Sequence, residues 1–443
     1  MDQHISSETM NVQPVATADR IKSIDAIRGV ALLGILMMNI PGFGINWDFW
    51  YNIVHGPRSG NDYNTFKVVF LFFEGTQRGL FSMLFGAGMI LFMQNKKDIP
   101  GKPPVAEYYY RRLLWLVFFG IINAFVILWE GDILFFYGLC GMILFAFRKM
   151  NPKWLVVIAL ACVSFGIIKK QWGWNETRAK REAYIEADNA KKEKKQLTAE
   201  QQGAIATWEQ IEKNQKPDTA ITNENLRKMH LGYFSIFNWF IPQNVDGEIY
   251  YMYHEGWDML SMMFLGMAMF LWGFFTNKLR TSTYVMWMLI GYGISIPVAW
   301  QIFDRGYMRT MNVGAFIDHW SSSPFVFVEF RRIPLTIGHA SLLMLIYRSG
   351  VVKWLMRALA NVGQMAFSNY LMQSIICTFF FYGYGFGYYN KLKFHELYYV
   401  VGAVWIFQMI FSSIWLKYFR FGPFEWVWRS LTYWKKQPMR LKG

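Results

Sequence analysis

Residues 23–39, SIDAIRGVALLGILMMN, form the stretch that decides how this chain folds. The run is apolar and long enough to enter a bilayer as a helix. Asp25 and Arg28 lie three residues apart near its start and share one helical face, whereas Asn39 lies deep within it. An ionised group deep in hydrocarbon costs roughly 2.5–3.5 kcal/mol. The two charges therefore indicate either a structural ion pair at a membrane boundary or an anchor for an anionic ligand.

Apolar segments of similar length recur along the chain. The sequence has 443 residues, of which 54% are hydrophobic and 19% aromatic. About ten segments have membrane-spanning length. They are residues 25–45, 68–93, 113–129, 133–147, 154–168, 251–275, 284–303, 325–347, 362–382 and 398–416. We therefore predict an all-α, polytopic membrane protein with about ten transmembrane helices. The three cysteines lie inside these segments, so we expect no disulfide framework, and no His/Cys spacing suggests a metal site.

The net charge of +15 is better explained by membrane topology than by nucleic-acid binding. With alternate loops assigned to opposite sides, one set holds 22 Lys and Arg residues, and the short loops of the other set hold 6. Basic residues favour cytoplasmic loops. We therefore expect both chain ends in the cytoplasm, membrane lipids as partners, and no nucleic-acid partner.

A polar region divides the apolar segments into two halves. We predict a membrane half over residues 1–168, an external helical insertion over 169–250, and a second membrane half over 251–443 with an interfacial, Trp-rich end. Thr198 and Gln201 have the spacing of a capping box, which predicts a helix from about residue 199. The insertion is either a solvated spacer or a lid over the external side.

Ionisable and amide side chains interrupt several apolar segments. Such groups inside a membrane face a cavity or one another. The residues expected to line a central cavity are Arg78, Glu329, Arg332, His339, Asn369 and Gln373. Two alternatives stay open: a structural Glu329–Arg332 pair, and amides that only join helices.

Two further patterns are a His–Asp pair at the start of the second membrane half and small residues in the segment 68–93. His254 and Asp258 lie four residues apart and share a helix face. The pair could bind a metal, act as base and orienting group, or form a structural hydrogen bond. Ser82, Gly86 and Gly88 would let a neighbouring helix approach closely.

The order of the motifs resembles one family of proteins. SIDAIRGVALLGILMMN, LFSMLFGAG and RRLLWLVFFGIINAF…GDILFFYGLCG resemble the amino half of YeiB-like bacterial membrane proteins. MLSMMFLGMAMFLWGFF, RRIPLTIGHASLL, NVGQMAFSNYLMQSII and FGPFEWVWRSLTY resemble their carboxyl-terminal domain of unknown function. The resemblance covers nearly the whole chain except the first twenty residues and the insertion. It implies a multi-pass protein of the bacterial inner membrane.

The family is similar in fold to transmembrane acyltransferases, which include the heparan glucosaminide acetyltransferases and bacterial sugar O-acyltransferases. This similarity implies transfer of an acyl group from cytosolic acyl-CoA to a sugar or lipid acceptor outside the cytoplasm. The positions matching the glucosaminide enzymes are Asp25, Arg28, Gly29, Asn39, His55 and Asp62. The match supports His55 as general base, against an ordinary loop histidine. Many YeiB-like proteins have a histidine in the third span, where this chain has Asn123.

An acyltransferase of this kind needs an internal basic site for the CoA phosphates, a tunnel for the acyl thioester and an external base. Lys22, Arg111 and Arg112 are candidates for binding the CoA phosphates, with Asp25 and Arg28 at the tunnel entrance.

An external base would take the acceptor proton: His55 with Asp62, or His254 with Asp258. Asn39 could donate a hydrogen bond to the thioester carbonyl.

Two other functions are compatible with these patterns. One is a transporter or exporter of a small solute or lipid, although no pair of Gly/Pro-broken spans in matching positions supports it. The other is a non-catalytic membrane scaffold that binds a partner through the insertion. A homodimer is compatible with each function.

Overall fold

The computed structural model describes residues 21–94, 96 and 98–441, and it describes their side chains except those of residues 47–50, 248–249, 251–254, 307–311, 327 and 329. This part of the chain is helical, with one isolated β-bridge between Phe419 and Arg440. The helices in chain order are α1 (Lys22–Gly44), α2 (Trp47–His55), α3 (Gly60–Phe73), α4 (Thr76–Gln94), α5 (Val105–Phe125), α6 (Leu134–Leu144), α7 (Pro152–Lys192), α8 (Ala199–Lys213), α9 (Thr219–Met229), α10 (Tyr233–Leu271), α11 (Thr281–Met311), α12 (Val313–His319), α13 (Phe327–Ser349), α14 (Lys353–Gln364), α15 (Ala366–Phe381), α16 (Phe394–Tyr418) and α17 (Pro423–Tyr433).

The apolar helices are those of a membrane protein, in agreement with the predicted fold class. Within the described residues, five helical segments are long and apolar enough to cross a bilayer. They are Lys22–Gly44, Gly60–Gln94, Pro152–Lys192, Thr281–Gly306 and Phe394–Tyr418. Leu134–Phe147 and Ala366–Phe381 are apolar but shorter. The total of about ten spans and their orientation stay predictions.

Helix α1 lies at the centre because its small residues allow a close helix contact. Its side chains are buried along most of its length. A Cβ atom on Gly29 would overlap the carbonyl oxygen of Leu359, and one on Gly363 would overlap that of Asp25. The backbones of α1 and α14 therefore touch, as small residues permit in membrane helices.

A second close contact joins α4 to α10. A Cβ atom on Gly86 would overlap the carbonyl oxygen of Met263, and one on Gly266 would overlap that of Met83. The expectation that Gly86 admits a neighbouring helix is confirmed. These contacts fix α4, which contributes to both polar regions described below.

The polar insertion is continuous with two long helices, one at each of its ends. Helices α7 and α10 run without interruption across residues 168 and 250, so both expected boundaries lie inside a helix. Helix α8 begins at Ala199 with the expected capping box: Gln201 N donates to Thr198 Oγ1 at 3.2 Å, and Thr198 N donates to Gln201 Oε1 at 3.1 Å. A small apolar cluster of Trp174, Trp208 and Phe316 packs the insertion.

Candidate functional site

A cavity of about 230 Å³ lies between α1, α4, α5, α6, α15 and α17. Five charged groups in its lining lie close to one another: Asp25, Arg28, Arg112, Glu425 and Arg429. The rest of the lining is mainly apolar and aromatic, and includes Leu84, Phe85, Leu116, Leu134, Phe367 and Tyr370. We call these two parts the charged mouth and the apolar interior. An amphipathic cavity of this kind suits a ligand with an anionic head and a hydrocarbon tail.

The Asp25–Arg28 pair forms one wall of the charged mouth. Arg28 Nη1 donates to Asp25 Oδ1 at 2.9 Å, which is the contact that their i,i+3 spacing predicts. The Arg28 side chain is 25% exposed and the Asp25 side chain 12%. The pair is therefore held at the mouth, with Arg28 still accessible to a ligand.

Glu425 lies on the opposite wall, where it caps α15. Its carboxylate accepts hydrogen bonds from Phe367 N at 2.8 Å, Ser368 N at 3.1 Å and the Ser368 hydroxyl. Because backbone donors at a helix start satisfy this anion, it holds α17 against α15 and is not available to neutralise the mouth arginines fully.

Of the three other residues proposed for phosphate binding, Arg112 alone lines the cavity. Its guanidinium lies over the Trp428 ring, 4.2 Å from the centroid. Arg111 instead pairs with Glu107 and lies 4.0 Å from the Trp434 ring centroid. Lys22 is exposed at the start of α1.

The inner end of the cavity leads to a buried carboxylate. Tyr370 and Leu134 line the cavity, and the Tyr370 hydroxyl lies 3.5 Å from Asp132 Oδ1. Asn123 Nδ2 donates to the same oxygen at 2.8 Å, and Phe135 N donates to Oδ2 at 2.9 Å. Asp132 is thus held by a side-chain amide and by the start of α6.

The chemistry of Asp132 follows from this burial. Asp132 is 2% exposed and Asn123 is fully buried. Loss of hydration raises the pKa of Asp132 to about 7, although the hydrogen bonds from Phe135 and Asn123 oppose the shift. A carboxyl group with a pKa near neutrality can take up or release a proton under cellular conditions.

Arg78 and Arg332 belong to a second polar region, which we call the arginine–carboxylate network. Arg78 Nη2 donates to Glu255 and Asp258, both at 2.8 Å. Arg332 Nη2 donates to Glu74 at 2.6 Å, and Nη1 lies 3.5 Å from Glu255. Arg331 also pairs with Glu74. Among the described side chains, three cations and three anions meet here.

A glycine lets the chain bring this network together. Gly75 separates α3 from α4 with a φ of 73°, in the left-handed region that glycine favours. A Cβ atom there would overlap the Arg332 guanidinium. Neither Arg78 nor Arg332 lines the cavity, but Tyr137 connects the two regions: it lines the cavity and its hydroxyl donates to Arg78 O at 3.1 Å.

The other residues expected to line the cavity join helices elsewhere. His339 lies between Tyr292 Oη at 3.0 Å and the Phe72 carbonyl at 2.8 Å. Asn369 donates to Ser412 Oγ at 2.9 Å, and Gln373 donates to Gln408 Oε1 at 2.9 Å. The side chains of Glu329 and His254 lie outside the described residues, so neither the Glu329–Arg332 pair nor the His254–Asp258 pair is described.

Among the residues matched to the glucosaminide enzymes, Asp25 and Arg28 pair, whereas His55 and Asp62 contact other residues. His55 Nδ1 donates a hydrogen bond to Tyr51 O at 2.9 Å, and the imidazole stacks on the Tyr51 ring. Asp62 Oδ1 hydrogen-bonds to two atoms of His395: the ring Nδ1 at 2.6 Å and the backbone N at 2.9 Å. Asn39 is half-buried and does not line the cavity. Among the described residues, no group of three or more His, Cys, Asp and Glu could hold a metal ion.

Comparisons with known proteins place these features in a family. The chain is 30% identical to the Uncharacterized protein YxaH of Bacillus subtilis (strain 168), over 98% of this chain and 99% of that protein. It is also 30% identical to the Uncharacterized protein YeiB of Escherichia coli (strain K12), over 94% and 96% of the two chains. The chain belongs to the YeiB-like family. The family model DUF418, a protein of unknown function, matches residues 269–435 of this YeiB-like protein. No solved structure matches it significantly.

Sequence reasoning missed several groups at these sites in the YeiB-like protein. Asp132 and Glu425 received no catalytic or binding role, although both are buried beside the cavity. His395 received no role because its partner lies far away in sequence. The sequence did contain a signal for Asp132. Only four residues, WEGD at positions 129–132, separate two apolar segments, and a loop this short keeps the Asp132 carboxylate close to the membrane interior.

Proposed function

We propose that this protein is a membrane acyltransferase whose cavity binds the acyl chain of a cytosolic acyl-CoA donor. The observation that carries the proposal is the cavity itself, whose lining combines a few arginines with many hydrocarbon and aromatic side chains. A transporter path would need polar groups along its length, whereas most of this lining is apolar.

The size of the cavity fits the acyl part of such a donor. Sites that enclose a drug-sized ligand measure roughly 300–1,000 Å³, and this cavity measures about 230 Å³. The nucleotide part would then stay outside, where Arg28 and Arg112 meet its phosphates. Arginine suits that contact because its planar group forms bidentate hydrogen bonds.

The direction of transfer rests on the predicted topology. With ten spans and both ends in the cytoplasm of a bacterial inner membrane, the starts of α1 and α5 face the cytosol. The charged mouth lies at those helix starts. Asp132 lies at the other end of the cavity, in the 126–133 connection that faces outward in this topology.

Asp132 is the acid–base group in the proposed reaction. Its carboxylate would take the proton of the acceptor hydroxyl, on an extracytoplasmic sugar or lipid, as the acceptor oxygen attacks the thioester carbonyl. The carbon–sulfur bond then breaks, and the CoA thiolate leaves and takes up a proton. The proposal places the thioester together with the acyl chain inside the apolar interior, carried there by the pantetheine arm, and Asp132 adjoins this interior through Tyr370. His55 is a rival base, proposed from the family resemblance alone.

Filling the cavity tests the proposal. Gly88 lines the cavity, and a Cβ atom there would approach only Arg28, at 4.0 Å. Gly88→Leu is therefore expected to fold normally and to lower binding of a labelled acyl-CoA by about tenfold or more, because the leucine occupies ligand volume. The measurement is equilibrium binding to purified protein in detergent.

Gly166→Leu is the matched control, because Gly166 lies on α7 and a Cβ atom there would meet no described atom within 4 Å. Unchanged binding in Gly88→Leu would remove the cavity from the proposal. Labelled acyl product in reconstituted membranes supports transfer. Movement of an unmodified solute into vesicles, with no acyl product, would support the exporter instead.

A further inference from the structure

Lys96 lies close to the charged mouth, where its ammonium group contacts an aromatic ring. The residue follows α4, and its Nζ lies 3.2 Å from the centroid of the Phe92 ring, which lines the cavity. Nζ is buried and has no hydrogen-bond partner in the described part of the chain. A buried donor without a partner carries a free-energy cost, so its retention calls for an explanation.

Two arginines lie close to this lysine. Together with burial, the charges of Arg112 and Arg429 lower the pKa of Lys96 to about 7. The Arg112 guanidinium lies 4.2 Å from the centroid of the Trp428 ring, and within the described residues it donates no hydrogen bond to a carboxylate. A guanidinium over an aromatic ring can still use its N–H groups to contact an anion.

The surrounding charges leave this corner of the mouth positive. The titratable and charged groups that face it from α1, α5 and α17 are Asp25, Arg28, Tyr109, Arg112, Glu425, Arg429 and Tyr433. Asp25 pairs with Arg28, and Glu425 is held by the start of α15. Both carboxylates are thus held by groups other than Lys96.

We propose that Lys96, Arg112 and Arg429 form a phosphoryl-binding subsite at the charged mouth. The ligand group is a phosphate ester or phosphoanhydride, which supplies oxygens to the buried Nζ and to the stacked guanidinium of Arg112. Binding of this anion keeps Lys96 protonated, so the ammonium donates to the phosphoryl oxygens. The subsite rests on the proposed function only in using the same cavity; it does not depend on acyl transfer.

The phosphoryl group could belong to a soluble donor or to a lipid headgroup, and two probes separate these sources. One is unacylated coenzyme A, and the other is dihexanoyl phosphatidic acid; both are titrated into the full-length protein in phospholipid-free detergent. Lys96→Gln is expected to weaken binding of at least one probe by about tenfold or more, because a charge-assisted hydrogen bond is lost. Lys96→Arg keeps the charge and is expected to retain binding.

The control is Lys102→Gln, which changes an exposed lysine in the same connection. Weakening limited to coenzyme A supports the subsite with a soluble ligand, and weakening limited to phosphatidic acid supports it with a lipid. Equal affinities in wild type and Lys96→Gln for both probes would overturn the subsite. Lys96-dependent binding in a protein that transfers no acyl group would keep the subsite and reject the acyltransferase.

Discussion

Asp132→Asn is expected to lower the rate of acyl transfer by about 10²–10⁴-fold, the usual contribution of a positioned acid–base group. Asparagine has the same shape and can still accept from Phe135 N, but it cannot take up the acceptor proton. The transfer rate of the wild type should also rise with pH around 7, because burial raises the pKa of Asp132 to about 7 and the carboxylate is the active form. The measurement is the initial rate with labelled acyl-CoA against pH.

His55→Ala is the informative comparison for that experiment. His55 stacks on Tyr51 and does not line the cavity, so its variant is expected to keep the transfer rate. Donor binding should be unchanged in Asp132→Asn, which separates a chemical role from a folding defect. Full activity in Asp132→Asn together with loss in His55→Ala would transfer the role of base to His55.

Arg332→Ala is expected to destabilise the protein by about 3–5 kcal/mol, because it leaves the three carboxylates of the network with only two arginines among the described side chains. Arg332 is 9% exposed and contacts both Glu74 and Glu255. Arg58→Ala is the matched control, since its ion pair with Asp304 is exposed. Loss of that pair should change the free energy of unfolding by about 0–1 kcal/mol. Denaturant unfolding in detergent gives both values.

A double variant keeps the test decisive if Arg332→Ala accumulates poorly. Glu74→Gln combined with Arg332→Met removes one anion and one cation, so it should recover part of the lost stability. Equal stability of Arg332→Ala and Arg58→Ala would show that the arginine–carboxylate network does not hold α4, α10 and α13 together.

Local patterns predicted local structure. The Asp25–Arg28 pair and the Thr198–Gln201 capping box depend on residues three apart, whose geometry the helix itself determines. The close approach at Gly86 was predicted for a similar reason, because a missing side chain leaves space whichever helix fills it.

Contacts between distant segments were not predictable in this way. Glu74 and Arg332 are 258 residues apart, and Asp62 and His395 are 333 apart. A sequence shows that such charges need partners but not which partners they find. The sequence therefore indicated polar groups within the membrane segments, but it did not indicate that Arg332 contacts Glu74 and Glu255.

Photo-cross-linking tests whether the cavity holds an acyl chain. An acyl-CoA with a diazirine on its acyl chain is irradiated with the purified protein, and the labelled residues are identified by mass spectrometry. We expect label on Leu84, Phe85, Leu116 or Tyr370, which unlabelled acyl-CoA should prevent. Label confined to exposed residues such as Trp154 and Ile168 on α7 would contradict this expectation.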